Sequence, residues 1–258
     1  MSDWLHDLPV PWIGVIVLAA VALFVAVIHL VATRLAVGAR GETMRSVSPG
    51  LLSPLGIVFA LIVGFLAAGV WGDSGKAKDA VGAEASALRS VVLLSDQLPP
   101  ATAARMRELV RAHIDDAVHR EWPAMRKQDA SLAALPVPLV QAQDLALDFK
   151  PRDAGETETQ RELVASLEKA LDARRQRVIV SDSGVNAVKW VGLLALAAVM
   201  LIAIACVHSA NRRTALLAMS LFAAAVVMVV VMLVAQDEPF TGHLGQSPEL
   251  LEEVVPET

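Results

Sequence analysis

The 258-residue chain is 55% hydrophobic, 4% aromatic and 19% charged, and its mean hydropathy is +0.54. A soluble domain of this composition would have to bury more hydrocarbon than its surface-to-volume ratio allows, so much of the chain is expected to face lipid. This excludes an ordinary cytosolic enzyme. The net charge of -5 supplies no basic field, which argues against a nucleic-acid partner. The single cysteine, Cys206, cannot form an intrachain disulfide or a thiolate-rich metal site.

Four apolar stretches are each long enough to cross a hydrocarbon core, which takes about 20 helical residues. All four are predicted to be helices, because unpaired backbone groups are costly in lipid. The first is interpreted as a retained span, since no Lys or Arg precedes it and no small-residue cleavage site follows it. A six-residue connection makes the last two an antiparallel hairpin. The predicted spans are Trp12 to Thr33, Leu51 to Trp71, Val188 to His208 and Ala215 to Ala235.

Between the second and third spans the chain becomes charged and alanine-rich, with apolar residues at helical spacing that indicate packing faces. Thr157 and Gln160 have the spacing of a capping box at the start of the last such helix. The stripes are Val81, Ala85, Leu88, Val92 and Ser95; then Met106, Val110, His113 and Ala117, on a helix that could extend towards Trp122; then Leu163, Leu167, Leu171 and Val178. A short helix is also expected between Pro138 and Lys150.

The predicted fold class is therefore all-α, with four transmembrane helices and a helical extramembrane domain inserted between the second and third spans. Residues 1–71 form the first transmembrane hairpin with a short N-terminal tail. Residues 72–187 form the helical domain, 188–235 the second transmembrane hairpin, and 236–258 an acidic C-terminal tail.

The distribution of cations predicts the orientation of the chain in the membrane. Lys and Arg in short loops mark the cytoplasmic side, and both tails lack them. The large domain and both tails are therefore predicted to be periplasmic, although cations at the domain's flanks count in the opposite direction. The short-loop cations are Arg34, Arg40, Arg45, Arg212 and Arg213, and the flanking ones are Lys76, Lys78, Arg174, Arg175, Arg177 and Lys189. Three tryptophans at span ends, Trp12, Trp71 and Trp190, are candidate interface anchors.

The second span carries the candidate pore residues. Small residues every four positions favour close helix packing. The two aromatic residues could form a hydrophobic constriction around an axis, or could face lipid or a neighbouring helix. Charges just beyond the span could line a pore mouth, or form a solvated face with pairs such as Lys76 and Asp79. The packing residues are Gly56, Ala60, Gly64 and Ala68; the constriction candidates are Phe59 and Phe65; the mouth candidates are Asp73, Lys76 and Lys78.

No catalytic or metal-binding motif is found. His113 and His119 are six residues apart and so lie on separate helix faces, which argues against a metal site with Asp116. His29 and His208 lie near span ends, where a polar side chain reaches water at little cost, so a structural role is favoured for both. Three arginines between positions 174 and 177 could pair with acidic residues of the first domain helix, bind lipid headgroups or attract anions. No cofactor is expected.

The stretch from Ser53 to Pro100, SPLGIVFALIVGFLAAGVWGDSGKAKDAVGAEASALRSVVLLSDQLPP, resembles the hallmark region of the bestrophin-like domain family of bacterial membrane proteins. Further segments that fit are RRQRVIVS at 174–181, Asn211 to Arg213, DEPFTG at 237–242, and Ser247-Pro248. The resemblance implies a distant similarity to bestrophin anion channels, which are pentamers with a pore lined by the second span. It also implies a bacterial inner-membrane location, with the domain and tails in the cytoplasm, opposite to the orientation predicted from the short loops.

The expected function is an oligomeric membrane channel for anions, embedded in membrane lipid, with no catalytic activity. The alternative is a non-conducting scaffold or sensor, whose spans only anchor a helical domain that binds an unknown partner protein. A pore would carry anion-dependent currents, whereas a scaffold would not.

Overall fold

The computed structural model describes residues 10–35, 42–44, 46–242 and 244–255. Arg40 and Arg45, which enter the orientation argument, lie outside these ranges. The described residues contain helices and no strand. The helices are α1 Val10–Leu35, α2 Leu52–Ser95, α3 Pro100–Asp116, α4 Trp122–Arg126, α5 Val137–Asp148, α6 Ala154–Ser181, α7 Ala187–Val207, α8 Arg212–Val234 and α9 Glu249–Glu252. A 3-10 turn, Pro49–Leu51, precedes α2, and a π-helical turn, Ala117–Glu121, joins α3 to α4.

Four helices, α1, α2, α7 and α8, are long and apolar enough to cross a membrane, and the prediction of an all-α four-span fold is confirmed. At 44 residues, α2 is twice as long as a bilayer requires. Its first part, up to Trp71, is the apolar span, and the helix runs on without a break through Gly72 into the charged region. One helix therefore carries both the candidate pore residues and the first amphipathic stripe of the domain.

The chain divides into two compact units. The transmembrane unit comprises Met1–Trp71 and Gly184–Asp237. In it, α7 and α8 form the expected hairpin, and both contact α1. Asn186 and Asn211 cap the N-termini of α7 and α8 with their side-chain oxygens. The Asp237 carboxylate accepts a 2.6 Å hydrogen bond from the Val185 backbone N–H, which ties the two ends of the hairpin together.

The extramembrane unit comprises Gly72–Ser183 and Glu238–Thr258. Its core is built from the second part of α2 with α3, α5 and α6, and Leu88, Met106 and Leu163 are fully buried there. The C-terminal segment after α8, expected from the sequence to be a separate acidic tail, packs its apolar residues into the same core. These residues are Phe240, Leu251 and Val254.

The first turn of α6 corrects one local prediction. The helix is capped by Asp153, whose carboxylate accepts from the Glu156 N–H at 2.8 Å, while the Glu156 carboxylate accepts from the Arg152 N–H at 2.7 Å. The capping box predicted for Thr157 and Gln160 is therefore wrong. Thr157 lies inside the helix, and the Gln160 amide instead donates to carbonyl oxygens of residues 146 and 149. An acidic pair with capping spacing starts the helix earlier than the threonine does.

Candidate functional site: the second span and its charged support

The span part of α2 is largely uncovered by the rest of the chain. In its most apolar 18-residue stretch 6% of the residues are buried, as in α1, against 44% in α7. Both open helices expose large side chains, such as Leu23 and Leu30 on α1 and Leu61 and Phe65 on α2, together with alanines. The open face of α2 differs in that it also exposes glycine, at Gly64, and glycine lets a neighbouring helix approach closely.

The two candidate constriction residues have different surroundings. Phe59 is half-buried, and its ring lies 5.3 Å from that of Phe222 in α8, at an interplanar angle of 60°. Phe65 is 76% exposed. Phe59 is therefore already held inside the transmembrane unit, whereas Phe65 is available to an axis or to lipid.

The small-residue stripe meets no neighbour within the described part of the chain. A methyl group built on Gly56 or Gly64 would have nothing within 4 Å beyond its own helix, and Ala60 and Ala68 are exposed. Packing of this stripe within the chain is thus not observed among the described residues. The stripe remains a prediction for contacts between subunits.

The charges beyond the span form a local pair. Lys76 Nζ lies 2.8 Å from Asp73 Oδ1, one turn away on α2. The pairing of Lys76 with Asp79 that the sequence suggested is therefore wrong. Lys78 is exposed and forms no ion pair with any described residue. The pore-mouth role of these side chains remains a prediction.

Further along α2, a buried carboxylate organises the extramembrane unit. Glu84 is completely buried, and Arg177 of α6 grips it with two nitrogens, Nε to Oε2 at 2.6 Å and Nη2 to Oε1 at 3.1 Å. His113 of α3 approaches Oε1 at 2.9 Å. Because a carboxylate only accepts, His113 Nε2 is the protonated nitrogen. Side chains from three helices therefore meet at one carboxyl group.

The network continues into the π-helical turn. Arg177 Nη2 also donates to Glu121 Oε2 at 2.8 Å, and Glu121 Oε1 accepts from Arg174 Nε at 2.7 Å. The Arg177 guanidinium lies 4.8 Å from the ring centroid of Trp122, within cation–π range. The Trp122 Nε1–H in turn donates to the Gln246 carbonyl at 3.1 Å. The charged core is thus linked to the C-terminal segment.

Burial and charge act in opposite directions on the pKa values of this pair. Burial alone raises the pKa of Glu84, but the charge of Arg177 and the hydrogen bonds from His113 and Arg177 outweigh it and lower the pKa from 4.5 to about 2. Burial likewise lowers the pKa of Arg177, and the charges of Glu84 and Glu121 raise it by more. Both groups are therefore ionised at neutral pH, and the pair is satisfied inside the core.

Sequence reasoning missed this network in part. Pairing with acidic residues of the first domain helix was one of three roles open to the arginines, and the structure shows this pairing for Arg177. However, sequence reasoning did not identify Glu84 as a buried partner. The available signal was register, because Glu84 lies three residues after buried Val81 and four before buried Leu88. A charge in step with a buried stripe indicates a buried partner.

The remaining candidates are placed as follows. The described residues contain no group of side chains that could hold a metal ion, and His119 is exposed beside Asp115 while His113 is buried. Among the proposed anchors, Trp12 is 60% and Trp71 47% exposed, but Trp190 is 7% exposed and packs inside the transmembrane unit. The anchor role stays a prediction for all three, and the burial of Trp190 makes it the weakest of the candidates.

We expect Arg177→Met to lower the free energy of unfolding by about 3–5 kcal/mol, because Glu84 would be left buried without its countercharge. The midpoint of thermal unfolding of the purified full chain in detergent is the measurement. The control is Arg175→Met, which removes an exposed arginine paired with Asp172 at 2.6 Å and should cost about 1 kcal/mol or less. Equal midpoints for the two variants would contradict the assignment.

The lowered pKa of Glu84 also predicts acid sensitivity. The stability that Glu84 contributes is fully present above its ordinary pKa of 4.5 and is lost as pH falls through that value towards about 2. The thermal midpoint of the parent should therefore exceed that of Glu84→Gln by a constant amount above about pH 5, and by less at each lower pH. Glu108→Gln, which alters a largely exposed carboxylate, serves as the control. A gap for Glu84→Gln that is independent of pH would refute the charge argument.

The chain is similar to a known protein family and to solved structures. The model of the Bestrophin-like domain matches residues 9–251. A crystal structure of a bacterial bestrophin homologue from Klebsiella pneumoniae, carrying one substitution, superposes with a TM-score of 0.71 at 13% identity and covers 94% of this chain and 97% of that chain. A second structure of such a homologue, solved by Zn-SAD phasing, gives a TM-score of 0.70 at 13% identity and covers 93% and 95%. No curated protein sequence matches the chain.

At 13% identity the solved structures show that the fold is shared. The family model covers nearly the whole chain, including the hallmark stretch from Ser53 to Pro100. The chain belongs to the bestrophin-like domain family.

Proposed function

We propose that the protein is an oligomeric membrane channel that conducts anions through a pore lined by the span part of α2. The observation that carries the proposal is the open face of this span. It includes Gly56 and Gly64, which have no neighbouring helix within the described part of the chain, and the highly exposed Phe65. Small residues let helices from several subunits approach one axis closely. Family membership supports the same arrangement, since the bestrophin channels that the family resembles are pentamers lined by this span.

Phe65 is the better candidate for the constriction. An apolar ring around an axis opposes ions by excluding water, and it needs a side chain that is free of contacts within its own subunit. Phe65 is 76% exposed, whereas the Phe59 ring packs against Phe222 in a tilted contact. Anion selectivity rests on the family resemblance, because the charges nearest the span, Asp73 and Lys76, pair with each other.

Shrinking the constriction should open the pore. We expect Phe65→Ala to raise single-channel conductance or open probability, because a wider apolar ring is more easily hydrated. We expect Phe59→Ala mainly to lower thermal stability, by about 3–5 kcal/mol if its site is as closely packed as a core. The measurements are recordings from purified protein in lipid bilayers, with oligomer size determined for each variant.

The outcomes separate the alternatives. A parent that conducts, together with an intact Phe65→Ala variant that behaves identically, would contradict the constriction at Phe65. A parent that forms an oligomer but never conducts would contradict the channel and favour the scaffold or sensor function. Substituting chloride by a large organic anion in the same recordings tests anion conduction directly.

The proposed location is the bacterial inner membrane. The Arg-containing short loops predict that the extramembrane unit and both tails lie in the periplasm, while resemblance to bestrophins predicts the cytoplasm. A reporter that is active only in the periplasm, fused after residue 258, should be active if the cation rule governs. A silent periplasmic reporter and an active cytoplasmic reporter at the same point would instead establish the bestrophin orientation.

A further inference from the structure

Two cavities lie one after the other along α1 and α8 in the transmembrane unit. The first, of about 170 Å³, is at the turn between α7 and α8 and has a polar lining that includes His29, His208, Ser209 and Arg212. The second, of about 270 Å³, is an apolar groove between α1 and α8, lined by Leu18 to Ala26 on one side and Leu216 to Val227 on the other. The two linings follow each other along both helices. On α1, for example, the groove lining ends at Ala26 and the polar cavity lining begins at His29.

The polar cavity presents unused hydrogen-bonding groups. The Ser209 hydroxyl oxygen is buried and has no hydrogen-bond partner within the described part of the chain, and a buried hydroxyl without a partner is costly. Arg212 forms no ion pair there with any residue that the structure describes. His208 Nδ1 donates to the Ile204 carbonyl at 3.0 Å, which leaves its other ring nitrogen for the cavity. The lining contains no acidic side chain.

The two donors of this set, Ser209 and Arg212, suit an anion with several acceptor oxygens. The Ser209 hydroxyl and the Arg212 guanidinium both donate, and arginine matches phosphate geometry well. A cavity of about 150 Å³ accommodates a benzene-sized molecule, so the volume is sufficient for a phosphate group. The apolar groove along the same two helices extends the site away from this group, in the direction that a hydrocarbon chain attached to the phosphate would take.

We infer that the α1–α8 seam is a binding site for one anionic phospholipid, with its phosphate in the polar cavity and an acyl chain in the groove. Basic pockets between transmembrane helices are a known way to hold such headgroups. The groove favours a lipid over free phosphate, because a soluble anion leaves the apolar part empty. Arg212, which forms no ion pair with a described residue, favours a lipid of net negative charge over a zwitterionic one. The site holds this lipid whether or not the protein conducts ions.

The test uses the purified full chain in detergent, stripped of lipid. Dioleoylphosphatidylglycerol, dioleoylphosphatidylcholine and inorganic phosphate are added separately, and bound lipid is counted by native mass spectrometry alongside the shift in thermal midpoint. We expect the phosphatidylglycerol to bind and to raise the thermal midpoint more than the phosphatidylcholine does, and we expect phosphate alone to have little effect. Arg212→Gln should weaken phosphatidylglycerol binding about tenfold, and Ser209→Ala should weaken it less.

Matched controls lie on the same helix. Arg213→Gln removes the neighbouring exposed arginine, which does not line the cavity. Ala224→Leu fills the groove, while Ala225→Leu adds the same bulk at an exposed position outside it. We expect Arg212→Gln and Ala224→Leu to lose the bound lipid and their partners Arg213→Gln and Ala225→Leu to keep it. All four positions are exposed, so the midpoints without lipid should match the parent.

Three results would overturn the inference. If phosphatidylcholine and phosphatidylglycerol bind equally, and Arg212→Gln changes neither, the bound lipid is only the ordinary lipid layer around the protein. If inorganic phosphate raises the thermal midpoint as much as the lipid does, and Ala224→Leu does not change this rise, the cavity is a site for a free anion. Identical behaviour of Arg212→Gln and Arg213→Gln would show only a general attraction of charge.

Discussion

The ion pair between Glu84 and Arg177 is the interaction on which the extramembrane unit depends. Both side chains are completely buried, and each would be costly to leave alone in the core. The guanidinium satisfies this requirement by reaching two carboxylates at once, Glu84 on α2 and Glu121 on the π-helical turn. Pairing these charges restricts the rotation of each helix about its own axis, because a rotated helix would leave a charge buried without its partner. Apolar packing alone tolerates more alternatives.

The π-helical turn is part of this solution. One extra residue per turn shifts the side chains that follow it relative to a regular helix, and such turns are often found where a particular side chain must be aimed. Here the turn ends at Glu121, whose carboxylate accepts from both Arg174 and Arg177. The ring of the next residue, Trp122, lies under the Arg177 guanidinium. The irregular backbone therefore lies where the charged network needs two consecutive residues to reach one arginine.

Much of the architecture was predictable from the sequence, because the signals are local. Hydropathy alone located the four spans, and prolines marked the start of α3 and the approximate limits of α5. The continuity of α2 was not indicated, since an apolar span and an amphipathic stripe have different patterns even when one helix carries both. The pairing of Glu84 with Arg177 spans 93 residues, and no local pattern specifies such a distance.

The candidate pore residues show the same limit. Phe59 and Phe65 are equivalent in sequence, as two aromatic residues in one span without charges, and only the position of Phe222 on α8 distinguishes them. The cavity at the α7–α8 turn was equally hidden. His29 and His208 were recognised as polar residues near span ends, but their common cavity depends on the contact between α1 and the hairpin.

The path of the chain through the extramembrane core sets an order of assembly. Residues 184–237 form a membrane hairpin whose ends are joined by the bond from Val185 to Asp237, and the core resumes only after it. Trp122 obtains its hydrogen bond from Gln246, 124 residues later. During synthesis, therefore, the partner of Trp122 and the core residue Phe240 leave the ribosome only after the whole hairpin has done so. The extramembrane core therefore lacks Phe240 and the Gln246 carbonyl until the last span has been synthesised.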